Sequence, residues 1–160
     1  MKNTVFCTLF KDTDKYFGSA GPFSHKKIVK NSDSNWTVNP PYMPNIMMMV
    51  YKELKKAFKK IKRDNFVTII LFPKWTNDPA YIKFKNSKYL VKCIEPKEGN
   101  HYMNCNGRIT YMYGMSNSMF ILSKDKSIVT DDMIDGLIKE WDTYVKDDTN
   151  QSLFSSPKFV

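Results

Sequence analysis

The tetrapeptide Asn39-Pro40-Pro41-Tyr42 combines residue types that can hold and activate an amino group. Two successive prolines fix φ and lack an N–H, so they leave rigid carbonyl groups that only accept hydrogen bonds. The Asn39 side chain adds an acceptor oxygen, and the Tyr42 ring can stack on a planar group. An adenine amine or a glutamine amide is a poor nucleophile, and fixed acceptors favour the pyramidal nitrogen that attacks a methyl sulfonium. The motif therefore predicts amino methylation with Asn39, Pro40, Pro41 and Tyr42 as catalytic residues, and leaves adenine and glutamine open as acceptors.

The motif lies between a strand pattern and a helix pattern. Residues 34–39 have the character of a short strand with Trp36 and Val38 on one face. Pro44 suits a first helical turn, and apolar residues then recur at helical spacing opposite a face of lysines. The apolar positions are Ile46, Met49, Val50, Leu54, Ala57, Phe58 and Ile61, and the lysines are Lys52, Lys55, Lys56, Lys59, Lys60 and Lys62. Ligands of open α/β sheets bind where strands end, which is where this motif lies.

The rest of the chain predicts an α/β sheet domain. Residues 65–72 are apolar on both faces, as in a central strand covered by helices on each side. We expect a third strand at 88–96, a loop at 97–107, and an antiparallel pair formed by 108–114 and 118–123. Thr130, Asp131 and Asp132 favour the start of a last helix, and residues 147–160 form a polar, flexible tail. The expected inward positions of that helix are Met133, Ile134, Leu137, Ile138, Trp141 and Val145.

Charge is distributed unevenly along the 160 residues. The net charge is +9, and residues 1–75 hold 14 Lys/Arg against 5 Asp/Glu, whereas the remainder holds 11 of each. This asymmetry favours a polyanion such as RNA as a partner, with Lys55 and Lys59 as contacts. A solvated surface is the alternative. The basic run at 55–63 could also be a nuclear import signal, although its apolar spacing favours a helix face.

Composition excludes several classes of protein. The sequence is 42% hydrophobic, has no apolar run long enough to span a membrane, and begins without a signal-peptide pattern. We therefore expect a soluble, intracellular protein, cytoplasmic or nuclear. The amino-acid composition, rich in Lys and Asn and poor in Gly, fits an AT-rich genome. A viral origin would place the protein in the host cytoplasm. Three scattered cysteines and two histidines predict unreactive thiols, without a disulfide framework or a metal site.

Two segments together carry a more specific signal. Residues 9–23, LFKDTDKYFGSAGPF, and 35–42, NWTVNPPY, resemble the methyltransferase region of the phosphorylated-CTD-interacting factor family, the cap-specific adenosine N6-methyltransferases. The family shows a D-T-D-x-Y-F-G-S segment, an N-P-P-F motif, a long helix, and an apolar strand closing in Pro-x-Trp. Here the last motif corresponds to residues 72–75, FPKW, and residues 118–123 are similar to the family's last strand. Tyr42 replaces the family's phenylalanine.

The resemblance implies a substrate and a cofactor. The acceptor would be N6 of the first transcribed adenosine in capped mRNA, and the donor would be S-adenosyl-L-methionine. Asn39, Pro40 and Tyr42 would hold the adenine, and Lys74 and Trp75 would line the nucleotide cleft. The donor pocket or its loop would contain Asp12, Asp14, Tyr16, Gly18 and Ser19.

The family also has a long region before its D-T-D segment, with a helical domain and the early strands that complete the cofactor site. This chain begins about ten residues before that segment, so residues 1–146 would form a catalytic half-domain. Its fold would be a partial Rossmann-like sheet of the class I methyltransferase type, flanked by helices and without the early strands. We expect a companion polypeptide or a homo-oligomer to supply the rest. The alternatives are an inactive RNA-binding remnant or regulatory subunit, and a methyltransferase acting on DNA adenine or on protein glutamine.

Overall fold

The computed structural model describes residues 6–8, 16, 19–95, 102–105, 108–111 and 117–139. For 102–105 and 108–111 it describes the backbone only, and for the other residues also the side chains. Helices and strands alternate along most of this length. The helices are α1 (His25–Lys30), α2 (Pro44–Lys60), α3 (Pro79–Lys85) and a helical segment at 131–139. The strands are β1 (Trp36–Val38), β2 (Val67–Pro73), β3 (Leu90–Ile94), β4 (Tyr102–Cys105), β5 (Arg108–Tyr111) and β6 (Asn117–Ser123).

Four of these strands form a mixed sheet in the order β1-β2-β6-β3. β1 and β2 are parallel, with Val38 opposite Ile70. β6 is antiparallel to both of its neighbours, so β3 points in the same direction as β1 and β2. The carboxyl ends of these three strands therefore meet at one edge of the sheet. The α/β class predicted from the sequence is confirmed in the form of a four-stranded mixed sheet flanked by helices.

The main core lies between one face of this sheet and α1, α2 and α3. Alternate residues of β2 are fully buried, and Ile70 and Phe72 enter the same apolar cluster as Phe120 and Leu122 of β6. The Phe72 ring meets four other aromatic rings edge-on at centroid distances of 5.5–6.3 Å. Such edge-to-face contacts add to the stabilisation from burial. β2 is thus one of the two central strands of the sheet, as its apolar sequence predicts.

α2 is the amphipathic helix that the sequence predicts. Pro44 occupies its first turn, where a missing N–H costs nothing. Its buried positions are Met47, Val50, Leu54, Ala57 and Phe58, and its five lysines are exposed, whereas Lys62 lies beyond the end of the helix. Met47 is buried in place of the expected Ile46, which is only half-buried.

Glu53 is the one acidic residue of α2, and it fastens α1 to this helix. Its carboxylate accepts a 2.8 Å hydrogen bond from the His25 N–H and lies 2.7 Å from His25 Nδ1. The other carboxylate oxygen is 2.7 Å from Lys56 Nζ. Burial raises the pKa of Glu53, but hydrogen bonds from the His25 N–H, Lys56 and the His25 ring outweigh it and lower the pKa from 4.5 to about 2.

Two sequence-based expectations about the elements are wrong, and two helices were not predicted. Residues 102–105 are not loop but β4, which pairs with β5 in a separate two-stranded sheet. β5 and β6 therefore do not pair, since β6 is enclosed between β2 and β3. Helices α1 and α3 were not predicted, because six or seven residues are too few to establish a helical period. Pro79 occupies the first turn of α3, and the Asp78 side chain caps this helix by accepting from the Ala80 and Tyr81 N–H groups.

The second face of the sheet is covered less completely than the sequence predicts. Val67, Ile69 and Leu71 of β2 remain half-buried on this face. Further along the sheet Met119 and Ile121 are buried, and an ion pair of 3.5 Å between Lys92 and Asp131 links β3 to the segment at 131–139.

The helical segment at 131–139 begins where the sequence predicts. Thr130 Oγ1 accepts from the Met133 N–H at 3.3 Å. Ile134 is buried and Leu137 half-buried, but Met133 and Ile138 are exposed, so their inward placement is wrong. The other expected inward positions, Trp141 and Val145, and the tail at 147–160 lie outside the described residues. Nowhere in the described part is there a helix with the length and apolar character needed to cross a membrane.

Replacing Glu53 by glutamine tests the tie between α1 and α2. The carboxylate is stabilising while it is ionised in the folded protein, so its contribution is present above about pH 4.5 and is lost as pH falls towards 2. We expect Glu53→Gln to lower the free energy of unfolding by about 1–2 kcal/mol at neutral pH, and the difference from the unsubstituted protein to shrink below pH 4.5. Urea denaturation across this pH range measures it.

Asp33→Asn is the matched control, because the Asp33 side chain is exposed and takes part in no ion pair among the described residues. A pH-independent effect of Glu53→Gln, or an equal effect of the control, would contradict the assigned tie.

Candidate functional site

Several side chains that could bind or orient a substrate lie at the carboxyl edge of the three parallel strands. Asn39 follows β1, Lys74 follows β2 and Glu95 follows β3. The start of β6 adds Asn117, which lies opposite Pro73 in the ladder, and next to it Ser118. Because β1 pairs with β2 in parallel register, the turn after β1 and the turn after β2 are neighbours at this edge.

The turn after β1 holds the Asn-Pro-Pro-Tyr motif against the start of α2. The Met43 N–H donates to the Pro41 carbonyl at 2.8 Å, which closes a tight turn immediately before Pro44. Asn39 is exposed, and Pro40 is half-buried. In the described part of the chain no hydrogen bond engages the Asn39 side chain or the Pro40 carbonyl, so both oxygens are available as acceptors.

Tyr42 is half-buried beside these acceptors. Burial raises the pKa of its phenol, so the side chain is neutral at physiological pH. A neutral aromatic ring at the lip of the turn is suited to stacking on a planar group and is unsuited to act as a base.

The turn after β2 repeats the same design. The Trp75 N–H donates to the Pro73 carbonyl at 2.6 Å, and the Asp78 N–H donates to the Trp75 carbonyl at 2.8 Å. Lys74 is exposed, while Trp75 is half-buried with its ring edge-on to Phe72 at 6.3 Å. Lys74 and Trp75 thus lie at the same sheet edge as the Asn-Pro-Pro-Tyr turn.

Glu95 fixes Lys74 at this edge. One carboxylate oxygen is 3.1 Å from Lys74 Nζ, and the other accepts from Lys85 Nζ and the Tyr81 hydroxyl at 3.0 Å. Hydrogen bonds from Lys85 and Lys74 lower the pKa of Glu95 from 4.5 to about 2. The Tyr81 hydroxyl also lies 2.9 Å from Ser118 Oγ, which connects the pair to the buried end of β6.

Two residues at this edge escape sequence-based prediction. Glu95 follows β3 as an ordinary strand-ending charge, and only the fold brings it to Lys74. Asn117, opposite Pro73, has a buried side-chain oxygen that finds no hydrogen-bond partner among the described residues. A buried acceptor without a donor is costly and marks a position that a ligand could satisfy. Its one sequence signal is an amide at the start of an apolar strand.

The expected donor-pocket residues are described only in part. Asp12, Asp14 and Gly18 lie outside the described residues. Tyr16 is 81% exposed. Ser19 Oγ accepts from the Gly21 N–H at 3.0 Å and lies 2.8 Å from Thr8 Oγ1, so its hydroxyl is engaged within its own loop.

Lys55 and Lys59 are not brought to the carboxyl edge. α2 begins at that edge with Pro44, and Lys55 lies about 16 Å further along the helix axis. The two lysines face solvent near the opposite edge of the sheet. Their expected role as RNA contacts therefore stays a prediction, at a position remote from the Asn39–Tyr42 turn.

Thiol and metal chemistry have little support at this edge. Cys7 and Cys93 are free and half-buried, and burial raises the pKa of both thiols, which lowers their thiolate fraction. The Cys105 side chain lies outside the described part. No group of three or more His, Cys, Asp or Glu among the described residues is arranged to hold a metal ion.

Comparison with known proteins identifies one family. A family model described as the phosphorylated CTD interacting factor 1 WW domain matches residues 2–106, well over half of the chain. The matched range contains the D-T-D segment, the Asn-Pro-Pro-Tyr turn and the Pro-x-Trp turn. No curated protein matches the sequence.

A double-mutant cycle tests whether Glu95 holds Lys74. We expect Glu95→Gln and Lys74→Met to be coupled by about 0.5–1 kcal/mol in the free energy of unfolding, because the pair is partly exposed and screened. The coupling should disappear as pH falls from about 4.5 towards 2, where Glu95 becomes protonated. The control cycle combines Glu95→Gln with Lys83→Met, because Lys83 is exposed and has no ion pair in the described part. Equal coupling in both cycles would contradict the tether.

Proposed function

The chain belongs to the phosphorylated CTD interacting factor family, and from this premise we propose that it is a methyltransferase-like protein that acts on adenosine N6 in capped mRNA. The proposed cofactor is S-adenosyl-L-methionine. The observation that carries the proposal is the Asn39–Tyr42 turn at the carboxyl edge of a parallel strand pair. There the amide oxygen of Asn39 and the carbonyl of Pro40 have no hydrogen-bond partner among the described residues, and the half-buried Tyr42 ring lies beside them.

Each residue of the turn has a distinct role in this proposal. The two N6–H groups of adenine would donate to Asn39 Oδ1 and the Pro40 carbonyl, which favours a pyramidal nitrogen. Tyr42 would stack on the base and fix its plane. S-adenosyl-L-methionine supplies an electrophilic methyl group. After transfer, the surplus proton on the amine passes to water, so the site needs no general base.

Neighbouring residues would complete the acceptor cleft. Lys74 and Trp75 lie at the end of the adjacent strand, and the Glu95 carboxylate keeps the ammonium group of Lys74 in place. The unsatisfied oxygen of Asn117 offers one further acceptor at this edge. These groups provide a cation for a phosphate and apolar surface for a ribose or a second base.

The sheet order supports the same proposal. Ligands of open α/β sheets bind at the carboxyl ends of parallel strands, and β1, β2 and β3 all end at the edge that carries the turn. The Asn-Pro-Pro-Tyr turn follows the strand next to β2. This agreement concerns the fold and not the chemistry, and folds host many functions.

One observation favours the second candidate, an RNA-binding protein or regulatory subunit without activity of its own. In the described sheet β1 is an edge strand, and Val67, Ile69 and Leu71 present a half-buried apolar face. A companion polypeptide or a second copy of the chain could cover both.

Of the donor-pocket residues, Ser19 would shape its loop and not bind the cofactor, because its hydroxyl is already engaged.

Asn39→Ala tests the acceptor array. We expect the variant to keep its fold and to lose methyl transfer to capped RNA by roughly a hundredfold or more, because one fixed acceptor is removed. Asn65→Ala, at an exposed asparagine before β2, is the matched control. Transfer is measured from radiolabelled S-adenosyl-L-methionine, and cofactor binding by calorimetry, with and without co-purifying chains. Full activity of Asn39→Ala would exclude this mechanism, and no cofactor binding under any pairing would exclude the enzyme.

Tyr42 separates stacking from hydroxyl chemistry. We expect Tyr42→Phe to retain activity and Tyr42→Ala to lose roughly tenfold or more in kcat/KM, since stacking on an aromatic is worth about 1–3 kcal/mol. A larger loss in Tyr42→Phe than in Tyr42→Ala would contradict the stacking role.

A further inference from the structure

A separate cavity of about 200 Å³ lies between the later turns of α2 and the turn at Asn86–Tyr89 that leads into β3. Since α2 and α3 both start at the carboxyl edge and run back across the sheet, this cavity is at the opposite edge from Asn39. Its floor is apolar and includes Phe84 and Leu122, both at most 2% exposed. Its volume is below the roughly 300–1,000 Å³ of most ligand and cofactor pockets, so a single planar group fits it better than a whole cofactor.

Aromatic rings form the walls of this cavity and are held rigidly. Tyr89 stacks on Phe58 at a centroid distance of 4.6 Å and an interplanar angle of 18°. Tyr51 meets Phe84 edge-on at 5.2 Å. Tyr51 and Tyr89 are both half-buried, so part of each ring remains accessible from the cavity.

Three lysines, Lys55, Lys59 and Lys88, line the cavity together with these rings. The Lys55 ammonium lies 5.8 Å from the Tyr51 ring centroid and that of Lys88 lies 5.0 Å from the Tyr89 centroid. Among the described residues no acidic side chain lines the cavity, and none of the three lysines has an ion pair. By contrast, Lys56, Lys74, Lys85, Lys92 and Lys124 each pair with a carboxylate. The positive charge at this cavity is therefore uncompensated.

We propose that this cavity binds one base of a single-stranded RNA, with the flanking phosphates on Lys55, Lys59 and Lys88. Sequence-tolerant recognition of single strands combines aromatic platforms for bases with cations along the backbone. An acidic peptide would use the cations but not the rings. A free mononucleotide would bring a single phosphate group to a cavity that three lysines line.

The inference deepens the proposed function and rests on it for the choice of RNA. Lys55 is about 16 Å from the start of α2 along the helix axis, so the cavity would hold a nucleotide several positions away from the methylated adenosine. RNA bound there would be anchored by one rigid helix whose first turn adjoins the acceptor site.

A pair of matched charge reversals tests the cavity. Lys55→Glu with Lys59→Glu changes two lining lysines, and Lys52→Glu with Lys60→Glu makes the same charge change at exposed positions of α2 that do not line it. The probe is a fluorescent, uncapped oligoadenylate of about twelve nucleotides, read by anisotropy. We expect the lining pair to weaken binding roughly tenfold or more beyond the control pair. Equal losses would overturn the proposal in favour of diffuse helix charge.

Substitution of Tyr51 tests stacking at the same cavity. We expect Tyr51→Leu to weaken oligoadenylate binding roughly tenfold and Tyr51→Phe to leave it unchanged, with thermal unfolding confirming that both variants fold. Inorganic polyphosphate should compete poorly because it lacks bases. Competition by polyphosphate or by an acidic peptide as strong as that by RNA would overturn the proposal. If adenosine monophosphate bound as tightly as the oligomer, the proposal would also be overturned, since the ligand of the cavity would then be a free nucleotide.

The two proposals fail in distinguishable ways. Methyl transfer to a capped dinucleotide, too short to reach the cavity, reports on the acceptor site alone, and the lining lysine variants should retain it. Normal RNA binding by those variants would refute the cavity and leave the methyltransferase standing. Cavity-dependent RNA binding without any cofactor binding would support the cavity and refute the enzyme.

Discussion

Parallel pairing of β1 with β2 is the constraint on which the rest of the arrangement depends. Two parallel neighbours require a crossover, and α2 provides it, so the proline turns after both strands return to the same edge. The pairing is fixed at its other end by Asn35, whose side-chain oxygen accepts from the Val67 N–H at 3.1 Å and from Arg63. A shift of β1 by one residue would turn Val38 out of the core and move Asn39 to the other face.

α2 links the two proposed sites because it belongs to both. Its first turn is set by the Asn-Pro-Pro-Tyr turn, and Lys55 and Lys59 of its later turns line the second cavity. Buried Leu54 and Phe58 hold the helix against the sheet, and Glu53 ties it to α1. The distance between the acceptor turn and the lysines is therefore fixed by a packed element and does not depend on a loop.

Local patterns account for the parts of this fold that could be predicted. β1, α2, β2 and β3 each carry a periodicity or a proline boundary long enough to be recognised, and Asn39–Tyr42 is contiguous in sequence. α1, α3 and β4 are too short for a period. The partners of β6 depend on strand order, which no local pattern encodes. Glu95, Asn117 and the cavity were missed for the same reason, since Tyr51, Lys88 and Leu122 meet only after three separate segments fold together.

Contacts between RNA and the second cavity would help to place the adenine in the proposed methyl transfer. An adenine amine held only by two acceptors and one ring has few contacts with which to offset the loss of freedom on binding. RNA anchored at the second cavity would bring the adenine to Asn39 and Tyr42 as an effectively intramolecular event. That advantage requires a rigid connection between the cavity and the turn. The ties of Glu53 to His25 and of Asn35 to Arg63 and Val67 supply this rigidity on the two sides of α2.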